Sequence, residues 1–155
     1  MRLFFLDRES FITNMSSTQG LLIIKEVEKL YEQNLTLAVV ARELRKKFRQ
    51  LNKSRAAVIA RTETHSATGF ANHTYHTTVS DSYGIGMVKQ WIATNDLRTR
   101  EAHRLASGQQ VTMDEDFSVG GIPMTYAGDP KGGAKNVINC RCVVIYVDKE
   151  DDIDE

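Results

Sequence analysis

The sequence is poor in cysteine, and the two cysteines that it has lie one residue apart. Cys140 and Cys142 precede the β-branched and aromatic run of residues 143–147, which is typical of a strand. A disulfide between them would be strained, because positions i and i+2 of a strand do not offer normal disulfide geometry. We therefore expect both thiols to be reduced, as thiols are kept in the cytosol.

Long apolar runs are also missing. No stretch of the 155 residues is long and apolar enough to span a membrane. The apolar start of the chain ends at Asp7 and Arg8, which is too early for a signal peptide. We therefore expect a protein that is made in the cytosol and has no membrane partner. The ordinary apolar fraction of 41% predicts a single domain with a real core.

The chain lacks a net charge, but its charges are distributed unevenly. Residues 42–61 carry eight basic side chains against the single acid Glu43, whereas residues 148–155 are almost entirely acidic. This asymmetry predicts a basic face that can meet nucleic acid or an acidic protein, together with a solvated acidic tail. The alternative is that both segments are ordinary solvated surface, as most charge runs are.

Apolar spacing predicts three helices in the first half of the chain. The first helix follows residue 20 and stops at Asn34, the second is capped by Thr36, and Ser54 caps the third. The second helix has one apolar stripe and one basic face. The basic face supplies the predicted nucleic-acid contacts, which are Arg42, Arg45, Lys46 and Arg49.

The periodicity changes after Gly84. We predict a strand at 87–93, a short helix at 97–106 capped by Asp96, a wide hairpin at 111–126, a glycine-rich loop at 127–133 and a last strand at 142–147. The predicted fold class is therefore α+β, with N-terminal helices followed by a small, mostly antiparallel sheet and one short inserted helix. The predicted organisation is an irregular lead-in at 1–16, one domain at 17–147 and an acidic tail at 148–155.

The two cysteines and His103 form a candidate metal site. Residues i and i+2 of a strand face the same way, so both thiols can meet one neighbour. Zinc favours thiolate and imidazole ligands, and structural sites normally supply four. The remaining ligand would be water or one of His65, Asp96 and Asp129. The alternative reading, which we rank first, is that the cysteines are small buried apolar side chains and His103 fixes the short helix by a hydrogen bond.

The same residues allow enzymatic hypotheses. Cys140 with His103 and Asp96 could form a nucleophile, base and orienting group, and Arg98 and Arg100 beside His103 could stabilise phosphate charge. The runner-up function is therefore a metal-dependent hydrolase or a nuclease-like toxin domain centred on His103, Cys140 and Cys142. Two further histidines, His73 and His76, share a helix face that we predict to be solvated.

Several separated motifs occur together in a fixed order. They are Ile59-Ala60-Arg61-Thr62-Glu63-Thr64, Trp91 followed by Asp96, Arg98, Arg100 and His103, then Gly128-Asp129-Pro130, and finally Ile138-Asn139-Cys140-Arg141-Cys142. Across residues 35–147 this order and spacing resemble the phage head morphogenesis family, the phage Mu F-like minor capsid or minor head proteins. The resemblance implies a structural role for the motif residues Arg61, Thr62, Glu63, Trp91, Asp96, Arg98, Arg100, Asp129, Asn139 and Arg141. Of these, Arg61 and Glu63 are expected in an internal ion-pair cluster with the region of Arg98 or Arg100.

The resemblance also implies a function. Family membership implies a minor capsid protein of a tailed double-stranded DNA phage or prophage, which acts at the portal vertex in prohead assembly and in the handling of packaged DNA. The implied partners are the portal protein, other capsid or scaffold proteins and double-stranded DNA bound without sequence preference, but no small-molecule substrate. The implied location is the virion or prohead, and the bacterial cytoplasm during assembly. Family members are often longer at the N-terminal side, so we expect a domain fragment or a shortened version. We expect no enzymatic activity and no cofactor, with zinc as the one alternative.

Overall fold

A computed structural model describes residues 17–149, and the fold in this part of the chain is α+β, as predicted. Three helices come first: α1 at Ser17–Glu32, α2 at Leu37–Lys47 and α3 at Lys53–Tyr83. The second half contains the remaining elements: β1 at Met87–Ile92, α4 at Glu101–Ala106, β2 at Gln110–Thr112, β3 at Phe117–Val119, β4 at Ile122–Met124, a 3-10 turn at Pro130–Gly132, α5 at Gly133–Val137 and β5 at Val143–Asp148. The predicted lead-in at 1–16 and residues 150–155 of the predicted tail lie outside the described residues. Asp148, which was predicted to begin that tail, is instead the last residue of β5.

The strands form two small antiparallel sheets. β1 is the centre of a three-stranded sheet, with β2 on one side and β5 on the other. Lys89 of β1 is the pairing partner of both Val111 and Tyr146. β3 and β4 form a separate hairpin in which Phe117 is opposite Met124. The antiparallel character of the sheet is therefore confirmed.

The described residues form two separate apolar cores. The first core joins α1, α2 and the first half of α3 through Ile23, Leu44, Ile59 and their neighbours. The second core lies among the strands, and its largest members are Trp91 and Phe117. This second core also contains both cysteines.

Aromatic rings join the second half of α3 to the sheet. The His76 ring stacks on the Tyr146 ring with 4.2 Å between centroids, and the His73 ring lies 6.0 Å from that of Tyr126. Phe70 meets Tyr126 edge to face at 6.1 Å. The prediction that His73 and His76 lie on a solvated face is wrong, because two tyrosines that are distant in the sequence pack over that face.

Helix ends differ from the predicted caps. Thr36 occupies the N-cap position of α2, but its side chain makes no capping hydrogen bond. Asn52, rather than Ser54, caps α3, since its Oδ1 accepts a hydrogen bond from the Arg55 backbone N–H at 2.8 Å. α4 begins at Glu101 instead of residue 97. Asp96 therefore belongs to the loop before α4 and does not cap that helix.

A second short helix, α5, occupies part of the chain between the glycine-rich loop and the last strand. The sequence does not predict it, because it begins at Gly133 with a positive φ and is only five residues long. No helix within residues 17–149 has the length and apolarity needed to cross a bilayer.

Candidate functional site

The structure brings His103, Cys140 and Cys142 together. The Nδ1 atom of His103 lies 3.2 Å from the Cys142 Sγ and 3.8 Å from the Cys140 Sγ. One nitrogen and two sulfurs of these residues all lie within 4.8 Å of one another. All three side chains are buried and the thiols are free. The site thus offers three ligand atoms that can meet one metal ion.

The local structure around these residues explains how they meet. Trp91 of β1 is fully buried, and its ring packs edge to face on the His103 ring at 5.9 Å. The turn before β5 begins at Asn139, which adopts a left-handed φ of 56° that asparagine tolerates. The backbone N–H of Asn139 donates to the Thr62 hydroxyl at 3.1 Å, and the Thr94 hydroxyl donates to the Arg141 carbonyl at 2.9 Å. The turn is therefore held from both α3 and the end of β1.

The two cysteines affect each other's pKa in opposite directions. Hydrogen bonding from the Cys140 thiol lowers the pKa of Cys142, and His103 adds to that lowering. The neighbouring Cys142 sulfur, followed by burial, raises the pKa of Cys140. Cys142 therefore loses its proton more readily than Cys140.

None of the three predicted additional ligands belongs to this group. Both carboxylate oxygens of Asp96 are bonded to the Arg141 guanidinium, at 2.5 and 2.7 Å. Asp129 accepts from the backbone N–H groups of Thr125 and Lys131, at 2.7 and 2.9 Å, and so holds the 3-10 turn. His65 lines a different small cavity on the other side of Cys142. The three-membered group is therefore completed by no further residue among 17–149.

An arginine-lined cleft lies beside this group. Its volume is about 470 Å³, and its lining residues are Arg61, Arg98, Arg100, Asn139 and Arg141. We refer to it below as the arginine cleft. Three of the arginines are already held in place: Arg141 by Asp96, Arg100 by the Ile138 carbonyl and Arg61 by the Asn139 side-chain oxygen at 3.0 Å. The ion pair that was predicted for Arg61 and Glu63 with the region of Arg98 or Arg100 is not seen for Arg61 within residues 17–149, where its guanidinium contacts the Asn139 amide oxygen instead.

The charge balance of the cleft favours anions. Four guanidinium groups line it, and the acid that contacts them among residues 17–149 is Asp96, which bonds Arg141 and lies 3.9 Å from the Arg98 Nε. The Arg98 side chain is 86% exposed and points to solvent. Guanidinium groups bind phosphate and carboxylate oxygens through paired N–H donors. The cleft is therefore suited to an anionic ligand.

The sequence does not identify this cleft as one site, although it singles out each of its members. Arg61, Arg98, Arg100 and Arg141 come from three distant segments of the chain. All four arginines belong to the ordered motifs described above, and this is the signal from which one common site could have been predicted.

The predicted nucleic-acid contacts on α2 form a different surface. Arg42, Arg45, Lys46 and Arg49 are all exposed. However, Glu43 binds both Arg42 and Lys46, at 3.3 and 2.9 Å. Arg49 lies beyond the end of the helix. The α2 surface is therefore basic, but part of its charge is neutralised locally.

The ion pair between Asp96 and Arg141 is expected to make the stability of the fold depend on pH. Hydrogen bonding from Arg141 holds the pKa of the Asp96 carboxyl well below its usual range. Because the folded pKa is the lower one, the ion pair stabilises the fold above the unfolded pKa of about 4, and this stabilisation is lost as the pH falls further. We expect Asp96→Asn to unfold at lower urea concentration than the parent protein at pH 7 and pH 5, with a smaller difference at pH 3. An unchanged difference at pH 3 would contradict the role assigned to the carboxylate.

Comparison with known proteins agrees with this arrangement of motifs. Residues 25–145 match the sequence profile of the family described as Phage Mu protein F like protein, which is more than three quarters of the chain. The chain belongs to this family. The predicted resemblance is therefore confirmed, and the matched segment of the Mu F-like chain includes His103, both cysteines and the arginine cleft.

Two curated relatives share parts of the Mu F-like chain. The minor head protein GP7 of Bacillus phage SPP1 is 34% identical over 113 residues, which cover 70% of this chain and 34% of that protein. The NAD(+)–arginine ADP-ribosyltransferase EFV of Enterococcus faecalis is 36% identical over 97 residues, which cover 57% of this chain and 18% of that protein. The chain thus spans about a third or less of the length of these relatives. Among solved structures, none matches.

Proposed function

We propose that this Mu F-like chain is a minor head protein of a tailed double-stranded DNA phage or prophage. The observation that carries the proposal is the family match over residues 25–145, and the identity of 34% to a minor head protein supports it. In this role the chain is a component of the prohead and the virion, and it occupies the bacterial cytoplasm during assembly. Its protein partners are other head proteins, with the portal protein at the vertex as the specific partner.

The proposed role is non-enzymatic. Within residues 17–149, the lining of the arginine cleft includes no histidine, cysteine or carboxylate that could act as a general base. His103 is buried between Trp91 and the cysteines, where a large substrate cannot reach it. The relative that is named as an ADP-ribosyltransferase shares only 18% of its length with this chain. We expect no ADP-ribose transfer from NAD to an arginine substrate, and activity that disappears in His103→Ala would overturn this part of the proposal.

Co-assembly with the other head proteins tests the proposed function. We expect the chain, expressed with the portal and capsid proteins of the same phage or prophage, to sediment with proheads after nuclease treatment. When the portal protein is left out, the amount in the particles should fall several-fold. A chain that sediments with particles only while DNA is present would instead be a DNA-binding module. A chain that never sediments with them would overturn the proposal.

We propose that the chain contacts packaged DNA through the arginine cleft, with the α2 surface as a weaker second contact. Among residues 17–149, the cleft residues Arg61 and Arg100 contact no carboxylate, and Arg98 has only a 3.9 Å contact with Asp96, whereas Glu43 neutralises part of the α2 surface. Contacts of this kind bind phosphate without reading base sequence, and their affinity falls with salt.

Matched charge reversals separate the two surfaces. Arg98 and Arg45 are both exposed arginines, one in the cleft and one on α2. We expect Arg98→Glu to weaken binding to a duplex of unrelated sequence by about tenfold and to lower the salt slope by about 1 to 2. Arg45→Glu should weaken it less. Fluorescence anisotropy at several salt concentrations measures both quantities.

Two results would contradict the proposed contacts. If Arg98→Glu bound as tightly as the parent protein, the cleft would not be a DNA contact. If the double variant Lys46→Glu with Arg49→Glu left the affinity for DNA unchanged, the α2 surface would not be a DNA contact.

A further inference from the structure

The spacing of the three ligand atoms matches that of a zinc site. In tetrahedral zinc coordination, bond lengths of about 2.3 Å to sulfur and about 2.0 Å to nitrogen place a sulfur and a nitrogen about 3.5 Å apart. The two distances from His103 Nδ1 to sulfur are 3.2 and 3.8 Å, one on each side of that value. All pairs among the three atoms are within 4.8 Å. The three atoms are therefore close enough together for one ion to contact all of them.

We propose that His103, Cys140 and Cys142 bind one zinc ion through Nδ1 and the two sulfurs. Two thiolates with one imidazole select zinc over magnesium and calcium, which prefer oxygen ligands. The three residues are each 2% exposed, so the ion is shielded from competing ligands in solution.

A water molecule supplies the fourth ligand. A cavity of about 20 Å³ borders His103, Cys140 and Cys142, and it is also lined by polar residues such as Thr94 and Thr99. That volume holds about one water molecule. The cavity is too small for a substrate, so we assign the ion a structural role, although most structural sites have four protein ligands.

The position of the ion gives it a mechanical role. His103 lies on α4, and the two cysteines flank Arg141 immediately before β5. A metal bridge between them ties the short helix to the turn that carries Asn139 and Arg141 into the arginine cleft. The ion thereby fixes the geometry of the cleft as well as the start of the last strand.

The alternative is that the cysteines fill space and His103 forms a simple hydrogen bond. A neutral imidazole Nδ1 can form only one such bond, yet both sulfurs approach this atom. Without a metal, the three residues are joined only in series, with Cys142 bonded to both Cys140 and His103. One metal ion would instead contact all three atoms directly.

Elemental analysis of the full chain, purified without a histidine tag, tests the proposal. We expect about one zinc per chain in the parent protein. Cys140→Ser, Cys142→Ser and His103→Ala should each lower the zinc content at least tenfold. His65→Ala is the matched control, since His65 lies beside Cys142 but outside the group, and it should keep its zinc. Loss of zinc in His65→Ala would overturn water as the fourth ligand.

A second measurement uses only the parent protein, so it remains valid if the cysteine variants fail to fold. The parent protein, stripped with a chelator and titrated with cobalt(II), should develop thiolate-to-cobalt charge-transfer absorption and the intense visible bands of a tetrahedral site, saturating near one equivalent. Added zinc should displace the cobalt and raise the melting temperature. A folded parent protein that contains less than about a tenth of an equivalent of zinc and gives no such spectrum would overturn the proposal.

Discussion

Replacing Trp91 with alanine is expected to lower the free energy of unfolding by about 3–5 kcal/mol, the range found when a large aromatic side chain is removed from a core. Trp91 is fully buried at the centre of the sheet core. Its ring packs edge to face on Phe117 at 5.4 Å and on His103 at 5.9 Å. Alanine leaves a cavity between these two rings, and the strands around it cannot collapse to fill the space without breaking the pairing of β1.

The measurement needs a probe other than tryptophan fluorescence, because Trp91 is the only tryptophan. Urea unfolding followed by far-ultraviolet circular dichroism gives the free energy of unfolding for both proteins. Leu97→Ala is the control, since Leu97 is 100% exposed and its loss should change that free energy by less than about 0.5 kcal/mol. Equal losses for the two variants would show that Trp91 is not the centre of a packed core.

The fold class could be predicted because it depends on local patterns. The apolar spacing of α1 and α2 and the alternation in β1 and β5 follow from residues that are near one another in the chain. Helix ends were harder to predict, because neighbouring polar side chains compete for the same role. Asn52 and Ser54 both suit an N-cap, and Asp96 suits either a helix cap or a turn. Local propensity does not choose between them.

Contacts between distant segments could not be predicted from local sequence patterns. The face of His73 and His76 follows from helix geometry, but nothing near them shows that Tyr126 and Tyr146 cover it. The arginine cleft could not be predicted for the same reason, since its members lie far apart in the chain. In contrast, the cysteine pair could be placed on one face from its spacing alone. The sequence offered His103 as a neighbour of that pair only as a hypothesis. The structure supports it, because one His103 nitrogen and the two sulfurs lie within 4.8 Å of one another.

Gly69→Val is expected to lower the free energy of unfolding by about 3 kcal/mol, at the upper end of the usual cost of overpacking. Gly69 lies in the middle of α3, where a glycine is unfavourable unless packing requires it. A Cβ atom at this position would lie 2.4 Å from the Ala127 carbonyl oxygen and 3.0 Å from a ring carbon of Tyr126. The oxygen belongs to the backbone and cannot move aside as a flexible side chain would.

The clash falls where the long helix meets the buried segment after β4. Displacing Ala127 disturbs Tyr126, whose ring packs against Phe70 and His73, so the contact between α3 and the sheet loosens. Gly86→Val is the matched control, because the three atoms nearest to its Cβ would belong to the Lys149 side chain, the first at an ordinary 3.5 Å. We expect that variant to unfold within about 1 kcal/mol of the parent protein. Urea midpoints for the three proteins measure the difference, and a Gly69→Val protein as stable as the control would mean that α3 and the sheet do not pack as closely as 2.4 Å implies.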